Sequence, residues 1–239
     1  MFTKKYEKVR RMNKMAEHEI IKFDRLKLER KYRTVIYLVR HGESLGNAKR
    51  EFLGHTDKSM SDLGVMQAAR TAEFLAYNDI DVIYSSDLKR AYETAQPHAA
   101  LRGLDIISSK GLREIFAGKW EGMRVEDIIS KYPVEFLDQW RDNFGMSTPV
   151  GGESVQELGH RIYENIHKIA KANEGKSILI ASHAAAIRSF WAIITGTPYE
   201  KLAQAFPFPT NASVSVVYFD DDTLLPGEYS HDAHLTGLI

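Results

Sequence analysis

Thr34–Val39 is an unbroken run of β-branched, aliphatic and aromatic residues that passes directly into Arg-His-Gly-Glu-Ser. Similar runs recur at Ile80–Tyr84, Leu104–Ile107, Ile178–Ala181 and Val214–Phe219. Apolar continuity without alternation predicts strands buried on both faces, as in a parallel sheet. The stretches between them have room for helices. Ser61 or Asp62 is placed to cap one running to about Tyr77, with Leu63, Met66, Ala69 and Ala72 inward. Leu88–Leu101 is helical in composition up to Gly103, and Ala184–Thr195 follows the fourth strand. In Ser154–Ala172, Val155, Leu158, Ile162, Ile166 and Ile169 recur at helical spacing. Residues 112–150 are irregular, with short helices expected at Val125–Lys131 and Val134–Trp140. This alternation predicts one α/β domain over 34–239, its mostly parallel sheet covered by helices on both faces.

Residues 1–33 differ in kind. They hold 12 Lys/Arg against 5 Asp/Glu, a surplus of 7 that the rest of the chain cancels to zero. Val9, Met12, Met15, Ala16, Ile20, Phe23 and Leu26 fall at three- and four-residue steps, which predicts a basic amphipathic helical arm. Its expected contact is its own domain or a second copy of the chain, giving a homodimer. An anionic surface is a weaker reading, because acids are interspersed and Trp is absent. Zero net charge gives no pull toward nucleic acid. The absence of cysteine removes disulfides, thiolate nucleophiles and thiolate metal sites. No apolar run approaches the ~20 residues of a membrane span, and the basic start has no apolar stretch behind it like that of a secretory signal. A cytoplasmic protein without stable membrane insertion is expected.

In open α/β sheets, ligands sit beyond the carboxyl ends of the strands. Arg40-His41-Gly42-Glu43-Ser44 follows the first strand, Ser85-Ser86-Asp87-Leu88-Lys89-Arg90 the second, and Ser182-His183 the fourth. A lone strand-end histidine is usually structural, and a lone first-turn arginine is usually solvated. Two of each at three strand ends suit one anion with several equivalent oxygens, above all a phosphoryl group.

These residues also carry a family resemblance. Leu38–Ser44 with Asn47 resembles the signature of the histidine phosphatase (phosphoglycerate mutase-like) superfamily, as do Ser61-Asp62-Leu63-Gly64 with Gln67-Ala68 and Ser85–Ala91 with Thr94-Ala95. Leu112-Arg113-Glu114-Ile115 with Gly118, Trp120, Glu121 and Gly122, then Gly151–Ser154 and Ser182-His183, complete the set in order. The resemblance covers about residues 34–219 and implies a phosphoglycerate mutase-like three-layer sandwich. It implies that His41 attacks phosphorus to form a phosphohistidine, while Arg40, Asn47, Arg90 and His183 bind the phosphoryl oxygens. Glu114 would protonate the leaving oxygen and later activate water. An imidazole is mostly neutral at pH 7, and flanking arginines favour that form further. Glu114 would need partial burial or substrate charge to hold its proton near neutrality. The substrate implied is a small phosphorylated molecule; no metal or other cofactor is required.

The chain departs from the family pattern in places. Ala184-Ala185 stands where many relatives have glycines, and Leu53 where mutase-like relatives carry a polar residue. No doubled arginine appears in 112–150; Arg124 and Arg141 stand apart. A mutase needs a second anion site, so a phosphatase is favoured over a phosphoglycerate mutase-type phosphotransferase. A non-catalytic phosphate-binding protein is the reading from another class, and the presence of both His41 and Glu114 speaks against it. Other patterns have plainer readings. Gly111 to Gly118-Lys119 is misspaced for a phosphate loop. His231 and His234 near Asp220–Asp222 fit a polar hairpin and tail better than a metal site, and Trp120, Trp140 and Trp191 fit core or pocket wall. The sequon Asn211-Ala212-Ser213 matters only in a secreted chain.

Overall fold

The computed structural model describes residues 34–239, so the arm expected over 1–33 lies outside the described residues. The elements in chain order are β1 (Thr34–Arg40), α1 (Leu45–Ala48), β2 (Glu51–Phe52), α2 (Asp62–Phe74), β3 (Val82–Ser86) and α3 (Lys89–Arg102). There follow β4 (Ile106–Ser109), β5 (Met123–Arg124), α4 (Val125–Lys131), a π-helical turn at Val134–Arg141 and α5 (Val155–Ala172). β6 (Ser177–Ser182), α6 (Ala184–Thr195), α7 (Leu202–Ala205), β7 (Val214–Asp220) and β8 (Thr223–Pro226) complete the chain.

The main sheet runs β4-β3-β6-β1-β7-β8. The first four strands are mutually parallel; β7 adds antiparallel to β1, and β8 antiparallel to β7. Helices cover both faces, so the architecture is the expected three-layer α/β sandwich. Ile36 and Leu38 of β1, with Ile178 and Ile180 of β6, face the core shared with Leu158, Ile162 and Ile166 of α5 and with Ile187 and Phe190 of α6. Tyr37, Val39, Leu179 and Ala181 point the other way, as the two-residue period of a strand requires.

Two expectations need correcting. The inward face of α2 is Gly64, Gln67, Ala68, Thr71 and Ala72, while Met66 is exposed. Its polar members are paired: Gln67 Oε1 accepts the Glu43 amide, Gln67 Nε2 donates to the Leu238 carbonyl, and Thr71 donates to the Ala212 carbonyl. Satisfied polar side chains are tolerated in a core, so apolar spacing alone picked the wrong side. That helix also ends at Phe74, short of Tyr77. Asp220 and Thr223 pair across a turn whose Asp221 and Asp222 have positive φ, and the resulting β8 was absent from the sequence reading. Val125–Lys131 is helical as expected.

Candidate active site

The two histidines meet because of strand register. β1 and β6 pair in parallel with Arg40 opposite Ser182, so His41 and His183 are the next residues on adjacent strands. The His41 amide donates to the Ser182 carbonyl at 2.9 Å, and the two rings lie edge to face with centroids 5.2 Å apart. That separation is close to the ~4.8 Å spacing of neighbouring strands.

Backbone partners fix the loop after β1 from every side. Gly42 N–H donates to Thr94 Oγ1 of α3, and the His41 carbonyl accepts from Asn211 Nδ2 and the Ala212 amide. A Cβ on Gly42 would lie 2.5 Å from the Gly64 carbonyl oxygen, so only glycine lets this loop lie against α2. His41 Nδ1 faces the Gly42 carbonyl at 2.7 Å. A carbonyl can only accept, so Nδ1 carries the proton and Nε2 the lone pair. Arg90 Nε–H donates to that Nε2 at 3.2 Å.

Arg90 sits in the first turn of α3, almost wholly buried. Its Nη1 donates to Thr56 O and its Nη2 to Gly54 O, so the loop after β2 aims the guanidinium. That loop is held in turn by Glu121, whose carboxylate accepts the amides of His55, Thr56 and Ala117 and the Thr56 hydroxyl. Arg40 donates through Nη1 to the Pro209 carbonyl. Asn47 belongs to a capping box: its Oδ1 accepts from the amide and hydroxyl of Ser44, which fixes the amide orientation and leaves Nδ2 as a donor.

Glu114 closes the group from a different segment. Its carboxylate accepts the amides of Ile115, Ala185 and Ala186 at 3.0–3.1 Å. The last two belong to the first turn of α6, whose N-cap residue His183 makes no side-chain cap. Glu114 supplies the missing acceptor there.

Burial and the nearby Arg90 and Arg40 charges hold His41 well below the usual imidazole range. Burial, Arg90 and His41 do the same to His183, neither of whose ring nitrogens has a hydrogen-bond partner among the described residues. Burial lowers Arg40 and Arg90 to about 10, and both remain cationic at neutral pH. Neutral imidazoles beside charged guanidiniums follow from desolvation together with like-charge repulsion.

A cavity of about 150 Å³ is lined by Arg40, His41, Asn47, Arg90 and Glu114, with Ala184 and Ala185 beside them. His183 lies against His41 behind this lining. The rest of the lining includes Glu51, Phe52, Leu53, Ile115, Trp140 and Phe208. Of these, Ile115 and Trp140 come from the irregular segment 112–150. Phe208, between two prolines and stacked on Trp140, had no signal in the sequence. Trp120, by contrast, is fully buried core. His231 and His234 stack in parallel on Phe74.

Two guanidiniums and one imidazole line this small cavity at the strand ends, with a second imidazole against the first, an arrangement that suits a phosphoryl group, and the class is that of the phosphoric monoester hydrolases. The sequence profile of the histidine phosphatase superfamily (branch 1) matches residues 36–226. Phosphoserine phosphatase 1 of Hydrogenobacter thermophilus is 32% identical over 187 residues, covering 78% of this chain and 87% of that one. The metal-independent phosphoserine phosphatase of Arabidopsis thaliana is 30% identical over 225 residues, 93% and 92% of the two chains. Among solved structures, Bacillus stearothermophilus YhfR superposes with a TM-score of 0.79 at 29% identity, over 84% of this chain and 99% of that one. The chain belongs to the histidine phosphatase superfamily.

Proposed function

We propose that the protein hydrolyses phosphomonoesters through a phosphohistidine on His41, with Glu114 as general acid and then general base. The observation that carries this reading is the fixed tautomer of His41, which presents a lone pair on Nε2 beside Arg90. Nε2 attacks phosphorus as the P–O ester bond breaks. The bonding pair leaves with the ester oxygen, which takes the proton of the Glu114 carboxyl. Attack also frees the Arg90 N–H from Nε2 for a phosphoryl oxygen. Water then attacks the phosphohistidine and gives its proton to the Glu114 carboxylate, and the P–N electron pair returns to Nε2. The reaction balances as ester plus water to alcohol plus phosphate. Nδ1–H keeps its bond to Gly42 O throughout and stabilises the charge that develops on the ring. Arg40, Arg90, Asn47 and His183 serve the phosphoryl oxygens, where electrostatic stabilisation is the main demand of a loose transition state. These groups make a divalent ion unnecessary, so a chelator should leave the rate unchanged; strong inhibition would remove the scheme.

Hydrolysis is favoured over phosphotransfer because, among the described residues, no cationic side chain beyond Arg40 and Arg90 lines the cavity. Arg124 pairs with Glu126 and Arg141 with Asp142 on the surface, and neither lines the cavity. Glu51, a further charged residue of the lining, is acidic and ion-paired with Lys58. Small phosphomonoesters whose alcohol carries no second phosphate are therefore the substrate class. Two relatives named phosphoserine phosphatases place phosphoserine in the first panel. The test is phosphate release from 4-nitrophenyl phosphate, with an acid-labile phosphoenzyme trapped by rapid quench. Interconversion of phosphoglycerates with 2,3-bisphosphoglycerate outpacing phosphate release would overturn the assignment.

A further inference from the structure

Glu114 is held in place from behind. Arg161, on α5, spends all five of its N–H donors in one place. Nε and Nη2 form a fork on the Glu153 carboxylate at 2.8 and 2.7 Å. Nη1 donates to the carbonyls of Gly111 and Arg113, and Nη2 donates to the carbonyl of Glu114 itself at 3.1 Å. Glu153 completes the brace by accepting the Phe116 amide at 3.2 Å. His55 adds a second donor to the Glu114 carbonyl at 2.9 Å. The segment from Gly111 to Phe116 has little regular structure of its own beyond a single 3-10 turn, so these bonds stand in for a sheet ladder.

The pair does not touch the cavity, and its side chains are mostly shielded from solvent, Arg161 at 26% exposed and Glu153 at 16%. A planar, five-donor guanidinium is the one side chain that can pin three carbonyls and a carboxylate together. We infer that Arg161, braced by Glu153, is a positioning residue for proton transfer: it fixes the main chain of Glu114 so that the carboxyl reaches the leaving oxygen and the attacking water. This rests on the acid–base reading of Glu114 given above. The physical reason for expecting a kinetic effect is that proton transfer tolerates little displacement, whereas Arg40 and Arg90 are aimed by carbonyls outside this segment, Pro209 for the first and Gly54 and Thr56 for the second, with His55 tying that second loop to the Glu114 carbonyl.

The experiment compares kcat/KM for 4-nitrophenyl phosphate and for a simple alkyl phosphate in the wild type, Arg161→Met, Arg161→Lys, Glu153→Gln and Glu114→Gln. A nitrophenolate departs with little help, while an alkoxide needs its proton. Arg161→Met is expected to lose about 10- to 100-fold on the alkyl ester and less than about 3-fold on the aryl ester. Arg161→Lys, which keeps the charge but not the fork, should fall between Arg161→Met and wild type. Equal losses on both esters would mark a merely structural role and overturn the inference. A selective loss in Glu114→Gln with none in Arg161→Met would overturn it while sparing the acid–base reading. No selectivity in Glu114→Gln would sink that reading, and this inference with it. If Arg161→Met does not fold, Arg161→Lys and Glu153→Gln carry the same comparison under the same criteria.

Discussion

Among the described residues there are two pairs of buried imidazoles, and one of the pairs puts a ring, His41, on the cavity lining. His41 and His183 stand at the ends of β1 and β6, between two arginines. His98 lies on the buried face of α3, two turns beyond Arg90 and so about 12 Å along the same helix, near His234. Both pairs are driven toward the neutral form by burial: His98 to about 3, His234 to about 4, His41 and His183 well below the ordinary value. A depressed imidazole is therefore no sign of chemistry by itself. What separates the pairs is geometry. His41 has one nitrogen tied to a carbonyl and the other directed at a guanidinium beside open space. Neither nitrogen of His98 has a hydrogen-bond partner among the described residues, and His234 meets Thr71 through Nε2 and stacks on Phe74.

The sharpest way to break this contrast is substitution across it. His41→Ala should reduce turnover of an aryl phosphate by at least about 10⁴-fold, whereas His98→Leu should leave kcat within about 3-fold. Comparable losses would show that cavity geometry does not separate the pairs.

The next effect is on pH. In the proposed scheme the free imidazole of His41 is the reactive form, and burial with the nearby arginines keeps that form dominant until pH falls well under the usual imidazole range. The acid limb of kcat/KM should accordingly lie below the ordinary imidazole range. Arg90→Gln removes a like charge but leaves the burial, so the limb should move upward toward neutrality while the rate drops. A limb that stays put in Arg90→Gln would mean that the arginine does not act on this imidazole.

The smallest effect belongs to the silent pair and is one of stability. His98 and His234 titrate lower in the folded than in the unfolded chain, so on acidification the unfolded state takes up protons first. Their contribution is intact above about pH 6.5 and is lost progressively toward pH 3–4, at roughly 1.4 kcal/mol per pH unit for each histidine within its window. His98→Leu should flatten the fall of the urea midpoint between pH 6 and pH 4 by about one proton's worth. An unchanged slope would place the acid sensitivity elsewhere.

Much of this was readable in the residues. The inner strands β1, β3, β6 and β7 announce themselves because both faces are largely buried, and the polar clusters that follow β1, β3 and β6 mark the carboxyl edge. Arg40, His41, Arg90 and His183 could be assembled from those two facts, and the family motifs added Asn47 and Glu114. What stayed hidden depends on contacts between distant segments. Glu51 and Phe52 form a strand of two residues whose partner is Met123–Arg124, a pairing with no periodicity to detect. Phe208 reaches the cavity wall, and Arg188 lies 4.3 Å over its ring, through packing alone. Arg161 is one of several charges on the amphipathic α5, and its five acceptor atoms are scattered from Gly111 to Glu153, too far apart in the chain to form a motif.

The order in which the sheet is threaded carries a lesson about synthesis. β6 lies between β1 and β3, yet it is made after both, and after α5. A growing polypeptide that has emerged only as far as α5 already owns Arg40, His41, Arg90 and Glu114, but the central rung is missing. Long-range insertion of that rung is a late, slow kind of event. Until Ser182 and His183 have been made, no strand joins β1 to β3, and Arg40 and Arg90 have no common rung to hold them together.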